Sequence, residues 1–250
     1  MEKQRITLFQ LPIDPLSLND VLEKIKLYLS APLQFKHIVS INPENVVVAH
    51  QNSSFLEVCQ HADLALTDGI GIVIAAKLQG LFIPERVSGS YLLPKLLELA
   101  GQMSSRVVLI GSQANLADSI AKCYSRAYPK ATYIGIEGYQ NKLNPTPEEE
   151  AHIESIVRDT RPHFVFVAFG SPYQELWINT HKKMLQESIC MGVGGAFDYL
   201  SGASRRPSNA ISSTGFEWLY RLIRQPWRAK RQISRLPIFI GMVLKQLFGV

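Results

Sequence analysis

The stretch His163-Phe164-Val165-Phe166-Val167-Ala168-Phe169 contains no acidic, lysine or arginine side chain, and Gly170-Ser171-Pro172 follows it directly. A short apolar run that stops at glycine and proline is typical of a strand buried on both faces. Such strands occur in parallel sheets that helices cover on both sides. This stretch therefore predicts a central strand of an α/β sheet.

Other apolar runs recur along the chain, with helical patterns between them. The further predicted strands are 37–41, 62–66, 106–110, 132–136 and 189–193. The main predicted helices are 18–29, with Ser17 as N-cap and Asp20 three residues later, 147–159 and 172–186. This alternation predicts an α/β fold, a Rossmann-like and mostly parallel sheet with helices on both faces. We expect one α/β domain over residues 1–205 and a basic C-terminal helical appendage over 206–250.

The positive charge of the chain is concentrated in this appendage. The net charge is +5, and the segment from Phe216 onward carries seven basic residues and one acidic residue, so the rest is nearly neutral. Arginines recur there at intervals of three and four residues, which places them on one helical face that Pro226 should kink; they are Arg221, Arg224, Arg228, Arg231 and Arg235. The face is either solvated or docks on an anionic membrane surface, and the neighbouring apolar residues favour the membrane. No nucleic-acid-binding motif accompanies it, so we expect no nucleic-acid partner.

The apolar run after Pro237 is too short to cross a membrane. Residues 238–250 are 13 residues, which would reach about 20 Å as a helix against a hydrocarbon core of about 30 Å. The three cysteines form no Cys-x-x-Cys pair and no secretory signal opens the chain. We therefore expect a cytoplasmic protein that binds peripherally to the membrane.

Several familiar cofactor and metal motifs are missing. There is no Asp-x-Asp, no Walker A lysine and no histidine pair at metal-ligand spacing. Gly69-Ile70-Gly71 and Gly192-Val193-Gly194 each begin like a dinucleotide fingerprint but lack the third glycine, which is weak evidence for a nicotinamide site. We expect no cofactor and no metal. A nucleotide- or NAD-binding regulatory module remains the alternative to an enzyme.

The loops after the predicted strands carry the candidate site, because ligands of such sheets bind beyond the carboxyl ends of the strands. Asp68 is either the N-cap of the next helix or a general base, and the glycines beside it allow a ligand to approach the backbone. Arg86 is either a solvated loop arginine or a diphosphate clamp. Gly111 ends another strand of the same edge.

Two further loops offer polar groups. In Gly170-Ser171-Pro172-Tyr173-Gln174-Glu175, the start of a helix points free N–H groups into the crevice and Gln174 can bind a sugar or a base edge. Glu175 is either a ligand contact or an acid that offsets the helix dipole. Asp198 either accepts a ligand hydroxyl or pairs with Arg205 or Arg206.

Six motifs resemble those of one family in order and spacing. They are Asn42-Pro43-Glu44, Asp68-Gly69-Ile70-Gly71, Glu85-Arg86-Val87-Ser88-Gly89, Gly170-Ser171-Pro172-Tyr173-Gln174-Glu175, Val193-Gly194-Gly195-Ala196-Phe197-Asp198 and Glu217-Trp218-Leu219-Tyr220-Arg221-Leu222. Along nearly its whole length the chain resembles the WecG/TagA/CpsF glycosyltransferases. Tyr173 stands where that family usually has a basic residue, and Arg205-Arg206-Pro207 where Arg-Ala-Pro is common.

The resemblance implies an inverting, metal-independent transferase that takes a hexosyl unit, often N-acetylmannosaminyl, from a UDP-sugar. The acceptor would be a sugar on a polyprenyl diphosphate at the inner face of the plasma membrane, in polysaccharide or teichoic acid synthesis, and a homo-oligomer is compatible with it. Asp68 matches the proposed base. The residues that match pocket positions are Ser40, Asn42, Arg86 and Gln174, and the tail arginines Arg221, Arg224, Arg228 and Arg231 would meet the membrane or the acceptor diphosphate.

Overall fold

A six-stranded parallel sheet forms the centre of the protein in a computed structural model that describes residues 4–111, 115–202, 220 and 229–248. The strands are β1 (Ile6–Leu8), β2 (Leu11–Ile13), β3 (Lys36–Ile41), β4 (Leu64–Thr67), β5 (Arg106–Gly111), β6 (Thr132–Ile136), β7 (Phe164–Ala168) and β8 (Ile189–Gly192). The order in the sheet is β4-β3-β8-β7-β5-β6, so β7 is an inner strand as predicted. The α/β fold with a parallel sheet is confirmed.

Helices cover both faces of the sheet. They are α1 (Leu18–Ser30), α2 (Pro43–Gln51), α3 (Ser53–Gln60), α4 (Ile70–Leu78), α5 (Gly89–Gln102), α6 (Leu116–Ala127), α7 (Pro147–Thr160), α8 (Tyr173–Thr180), α9 (Ala196–Leu200) and a C-terminal helix (Ala229–Phe248). On one face, α1, α5, α6 and α9 pack on residues such as Phe164, Phe166 and Met191. On the other face, Val165 and Val167 meet α7 and α8, and Val39 and Ile41 meet α2, α3 and α4. Alternate residues of each strand thus enter opposite cores.

Capping side chains begin four of the helices. Ser17 and Asp20 form the predicted capping box at α1, and Thr146 with Glu149 forms a second box at α7. Asn42 and Asn52 cap α2 and α3, each by accepting a backbone N–H three residues later. These caps explain why α1 and α7 begin at the residues that the sequence predicts.

Some elements differ from the sequence prediction. β1 and β2 form a short antiparallel hairpin, and α5 is a long helix with Pro94 in its interior; the sequence patterns predicted neither. The helix predicted over 172–186 ends at Thr180, and turns follow it. His181 ends α8 by donating its N–H to Trp177 O.

The C-terminal helix runs unbroken through Pro237, so the apolar run after this proline continues the helix that begins at Ala229. It packs on α2 through Phe239 and Val243, which are buried, and Arg235 lies 3.5 Å from Glu44 at the start of α2. Among the described residues, no helix combines the length and apolar character needed to cross a bilayer. Arg221, Arg224 and Arg228 lie outside the described residues, as does the side chain of Arg231.

Candidate active site

The predicted site residues follow the carboxyl ends of five adjacent strands. Ser40 and Asn42 stand at the end of β3, Asp68 follows β4, and Gly111 ends β5. Gln174 and Glu175 lie in the first turn of α8, after β7, and Asp198 lies in α9, after β8. All of these residues therefore lie along the same edge of the sheet, but the order of the strands divides them into separate groups.

Asp68 forms a corner with the loop after β3. Its backbone N–H donates to Ile41 O at 2.8 Å, which joins the ends of β3 and β4. The helix α4 begins after Gly69, whose φ is +109°, so the N-cap position is Gly69 and Asp68 lies one residue ahead of it. Asp68 is therefore not the N-cap of this helix. Its half-buried carboxylate is positioned by the strand end instead.

The backbone at this corner is closely packed. A Cβ at Gly69 would lie 3.2 Å from Pro43 Cδ, and one at Gly71 would lie only 2.7 Å from Pro43 Cγ. Asn42 Oδ1 accepts the N–H of Asn45 at 2.9 Å, so one role of this predicted site residue is to cap α2. Asn45, which the sequence analysis missed, donates its Nδ2 to Ser40 O at 2.7 Å and holds the end of β3. The signal for it was a polar residue at a buried position of α2.

Ser40 and Arg86 lie on the other side of the strand ends. Glu85 accepts the N–H of Leu18 at 2.7 Å, and a Cβ at Gly89 would lie 3.5 Å from Ser40 Oγ. These two contacts fix both ends of the short segment that carries the half-buried Arg86. Ser40 Oγ is buried and has no hydrogen-bond partner in the described part of the chain. A buried polar atom of this kind is a frequent mark of a ligand site.

Two helices start at this corner without a capping side chain. The N-cap residues are Gly69 for α4 and Ser88 for α5, and neither provides a side-chain hydrogen bond to its helix. By contrast, side chains cap α1, α2, α3 and α7. Helix N-termini with free N–H groups favour anions. Arg86 lies two residues before the N-cap of α5, as Asp68 lies one residue before that of α4, so a predicted site residue stands just ahead of each helix N-terminus.

Gln174 braces the loops after β7 and β8. Its buried side-chain oxygen accepts the N–H of Gly170 at 3.1 Å and that of Gly194 at 3.0 Å. Its Nε2 donates to Glu175 Oε1 at 2.8 Å. A Cβ at Gly192 would lie 2.5 Å from this nitrogen, so the glycine is what makes room for the brace. Gln174 N also donates to Gly170 O, so the N–H groups of this turn are less available than predicted.

Glu175 is buried beneath this brace. Burial raises the pKa of its carboxyl, and the hydrogen bond from Gln174 offsets only part of that effect. Its Oε2 and the nearby Ser171 Oγ are buried, and neither has a hydrogen-bond partner among the residues described here. The burial separates Glu175 from solvent, and its contact with the candidate site runs through Gln174.

Gly111 lines a different cavity, of about 450 Å³, at the end of β5 and β6. Since β3, β8 and β7 lie between β4 and β5, four strand spacings, about 19 Å, separate Gly111 from Asp68. Glu137, Glu149 and Asp118 also line this cavity. Hydrogen bonds from Gln140 N and Thr146 N lower the pKa of Glu149, which keeps this cavity negatively charged. Such a lining is poorly suited to a diphosphate.

Asp198 lies in α9, which packs against α5 and α6. It is half-buried in the short helix that follows the Gly194 loop, on the same face of the sheet as Ser40 and α5. Its suggested partners Arg205 and Arg206 lie outside the described residues. Asp198 thus lies four residues after Gly194, which the brace holds, in a helix that also packs against α6.

Comparisons with known proteins show which family the chain belongs to. The chain matches the model of the Glycosyl transferase WecG/TagA/CpsF family over residues 6–250. A relative from Bacillus subtilis (strain 168) is 30% identical over 84% of this chain and 79% of its own length. One from Bacillus spizizenii is 32% identical over 83% and 78%, and one from Staphylococcus aureus (strain MW2) is 28% identical over 83% and 79%.

All three relatives carry the name N-acetylglucosaminyldiphosphoundecaprenol N-acetyl-beta-D-mannosaminyltransferase. The family model spans both the sheet and the C-terminal helix. The alternative of a nucleotide- or NAD-binding regulatory module is therefore set aside in favour of an enzyme. This chain belongs to the WecG/TagA/CpsF family and is a glycosyltransferase.

Proposed function

We propose that the chain transfers an N-acetylmannosaminyl or related hexosyl unit from a UDP-sugar to N-acetylglucosamine on a polyprenyl diphosphate. The reaction would serve the synthesis of teichoic acid or another cell-surface polysaccharide. The names of the relatives support both the sugar and the acceptor. Those names specify a β-linked product, and UDP-sugars of this kind carry an α-linked sugar, so the transfer would invert the anomeric carbon.

The observation that carries the proposal is the position of Asp68. It is a half-buried carboxylate at the carboxyl edge of the sheet, it directly precedes Gly69, and it is not the N-cap of α4. An inverting transfer needs one base to take the proton of the acceptor hydroxyl. In the proposed step, that oxygen bonds to the anomeric carbon as the bond to the UDP oxygen breaks, Asp68 receives the proton and UDP leaves with the electron pair.

The leaving diphosphate needs positive charge nearby. Arg86 lies two residues before the N-cap of α5, and neither this N-cap nor that of α4 provides a side-chain hydrogen bond to its helix. Preorganised donors of this kind stabilise charge that develops on a leaving group. We therefore assign the stabilisation of UDP to Arg86 and these helix termini, with no metal required. The N-terminus of α8 is left out of this assignment, because Gln174 N already donates to Gly170 O.

The acceptor also bears on where the protein works. A polyprenyl chain holds its diphosphate sugar at the membrane surface, so the enzyme would act peripherally at the inner face of the plasma membrane. The basic residues of the appendage, Arg221, Arg224, Arg228 and Arg231, suit contact with anionic headgroups or with the acceptor diphosphate. Measuring vesicle binding at rising salt concentration tests this role.

The substitution Asp68→Asn tests the assignment of the base. We expect a loss of UDP release of at least about 10²-fold with a UDP-sugar and a short-chain lipid-diphosphate acceptor, because the amide cannot take the proton. The control Asp159→Asn changes an exposed carboxylate at the far end of α7. Near-normal turnover of a folded Asp68→Asn protein would exclude Asp68 as the base. Assays with and without a chelator test independence from metal.

A further inference from the structure

The helix α4 is far more apolar than its burial explains. Its sequence is Ile-Gly-Ile-Val-Ile-Ala-Ala-Lys-Leu, and only Ile72, Ala75 and Ala76 are buried. Ile74 is 52% exposed and Leu78 54% exposed, and they are four residues apart, so they share one side of the helix. A helix that is apolar on all sides is normally buried on all sides.

A further exposed apolar side chain follows the end of α4, beyond the turn at Gly80. Phe82, four residues after Leu78, is 79% exposed. Lys77 is the only charged residue between Gly69 and Pro84, and it is exposed as well. We call the side chains of Ile74, Lys77, Leu78 and Phe82 the α4 patch. It joins an aromatic ring, two aliphatic chains and one cation, without an acidic group in the same segment.

The helix that carries the α4 patch begins at the candidate active site. Asp68 lies two residues before α4, and Leu78 lies ten residues after Asp68, which is about 15 Å along a helix. β4 is an edge strand of the sheet, so α4, which follows it, lies at the margin of the molecule. A surface in contact with the α4 patch would thus lie within about one helix length of the base.

We propose that the α4 patch inserts into the interfacial layer of the membrane that carries the lipid-linked acceptor. The inference rests on the proposed function, because the lipid-linked acceptor is what brings a bilayer to this edge. Three features favour a bilayer over a second protein. The patch has an aromatic end, it has a lysine that suits anionic headgroups, and its helix starts beside the residue that must meet a membrane-anchored hydroxyl.

The test compares Leu78→Ser/Phe82→Ser with the control Leu27→Ser. Leu27 is 69% exposed on α1, which packs on the opposite face of the sheet, so the control removes an exposed apolar side chain elsewhere. We expect the double variant to bind vesicles of phosphatidylglycerol and phosphatidylethanolamine at least tenfold more weakly, and the control to bind like the parent protein. UDP release with a short-chain soluble acceptor should stay unchanged, while the KM for an undecaprenyl acceptor in vesicles should rise.

A fluorescent label gives a second readout. Leu78→Cys in a Cys123→Ser background leaves Cys59 and Cys190, which are buried, so an environment-sensitive dye reports on position 78. We expect its emission to shift to shorter wavelength when vesicles are added. An unchanged emission, or equal vesicle binding by the double variant and the control, would overturn the proposal.

Other outcomes separate the two proposals. If the double variant instead lowers the mass in sedimentation equilibrium and leaves vesicle binding intact, the patch is a contact between copies of this chain and the membrane assignment is wrong. If no protein releases UDP with the soluble acceptor, the proposed function fails, and the vesicle and fluorescence measurements still decide whether the α4 patch meets a membrane.

Discussion

The carboxyl group of Glu175 is buried away from water. Its Oε1 accepts a hydrogen bond from Gln174, and burial, the largest influence, raises its pKa. In the unfolded chain this carboxyl ionises near its ordinary pKa of about 4.3. The folded protein thus holds the proton to higher pH than the unfolded chain does, so this group makes folding less favourable as the pH rises through that interval.

The substitution Glu175→Gln should therefore raise the melting temperature at pH 7.5. The amide resembles the protonated acid and keeps an oxygen that accepts from Gln174, but it carries no charge that burial would penalise. The gain should shrink as the pH falls toward 4, where the acid is protonated in both states. Thermal unfolding followed by circular dichroism across this range measures the effect.

The control for this prediction is Glu57→Gln, which neutralises an exposed carboxylate on α3. Its melting temperature should follow that of the parent protein at every pH. A Glu175→Gln protein that melts below the parent at pH 7.5 would show that the ionised form is the stable one. The hydrogen bond to Gln174 would then outweigh the cost of burial.

At the level of elements, the Gln174 brace connects two loops that are far apart in sequence. The side chain fits over β8 only because residue 192 has no Cβ, and it holds the amides of Gly170 and Gly194. The arrangement makes the two glycine loops one unit. Shifting either loop breaks a hydrogen bond that also positions the other loop.

A double-mutant cycle on Gly192→Ala and Gln174→Ala tests the brace. We expect Gln174→Ala to destabilise the protein by roughly 1–3 kcal/mol for each buried N–H left without an acceptor. Gly192→Ala should do so because its Cβ meets the amide at 2.5 Å. The double variant should lose less than the sum of the two, because removing the amide relieves the clash.

Urea unfolding measures these free energies, and Gly241→Ala is the control because a Cβ there meets nothing within 4 Å. Additive losses in the double variant would contradict a direct contact between the two positions. The Gln174→Ala and Gly192→Ala proteins should also show a lower kcat for sugar transfer with a smaller change in KM. That pattern separates a loop that positions reacting groups from a loop that merely keeps the protein folded.

Much of the sheet could be predicted from the sequence, because strands buried on both faces leave long apolar runs. β5, β6 and β7 agree with their predicted ranges within one residue at either end. β1 and β2 have three residues each, too few for a period to emerge. The C-terminal helix continues through Pro237, although a proline normally kinks or breaks a helix. The burial of Phe239 and Val243 against α2 favours the continuous helix.

The sequence predicts which loops carry the candidate site residues, but not which of these loops lie side by side. The rule that ligands bind at the carboxyl ends of parallel strands located Asp68, Ser40 and the Gln174 loop. The strand order, which a single sequence does not reveal, decides which of these loops are neighbours. It brings Gly170 and Gly194 together under Gln174, and it moves Gly111 to another cavity, since two inner strands separate β5 from β3.

In the whole molecule, the C-terminal helix is a part of the corner that holds Asp68. Phe239 is 4% exposed, stacks edge-on against Phe9 with ring centroids 5.5 Å apart, and lies 3.3 Å from the Cβ position of Gly71. The helix therefore contacts the first turn of α4, three residues from Asp68. The family match over residues 6–250 likewise includes this helix.

Replacing Phe239 by Ala should release this helix from the body. The loss of a buried ring costs roughly 3–5 kcal/mol, and the remaining apolar residues that pack this helix on the body are Met242, Val243 and Leu247. Hydrogen exchange should then rise over 229–248 and in the first turn of α4, and UDP release should fall. Phe248→Ala is the matched control, because Phe248 is 76% exposed. Unchanged exchange in α4 would show that the helix and the corner are independent.

The contact among Pro43, Gly71 and Phe239 has a consequence for inhibition. Pro43 follows the N-cap of α2, and Gly71 is the second residue of α4. The Phe239 ring lies 3.3 Å from the Cβ position of Gly71. A small molecule that took the place of this ring would push on the backbone that sets the position of Asp68. Such an inhibitor would be non-competitive, resembling neither the nucleotide sugar nor the lipid, and high concentrations of either substrate would not displace it.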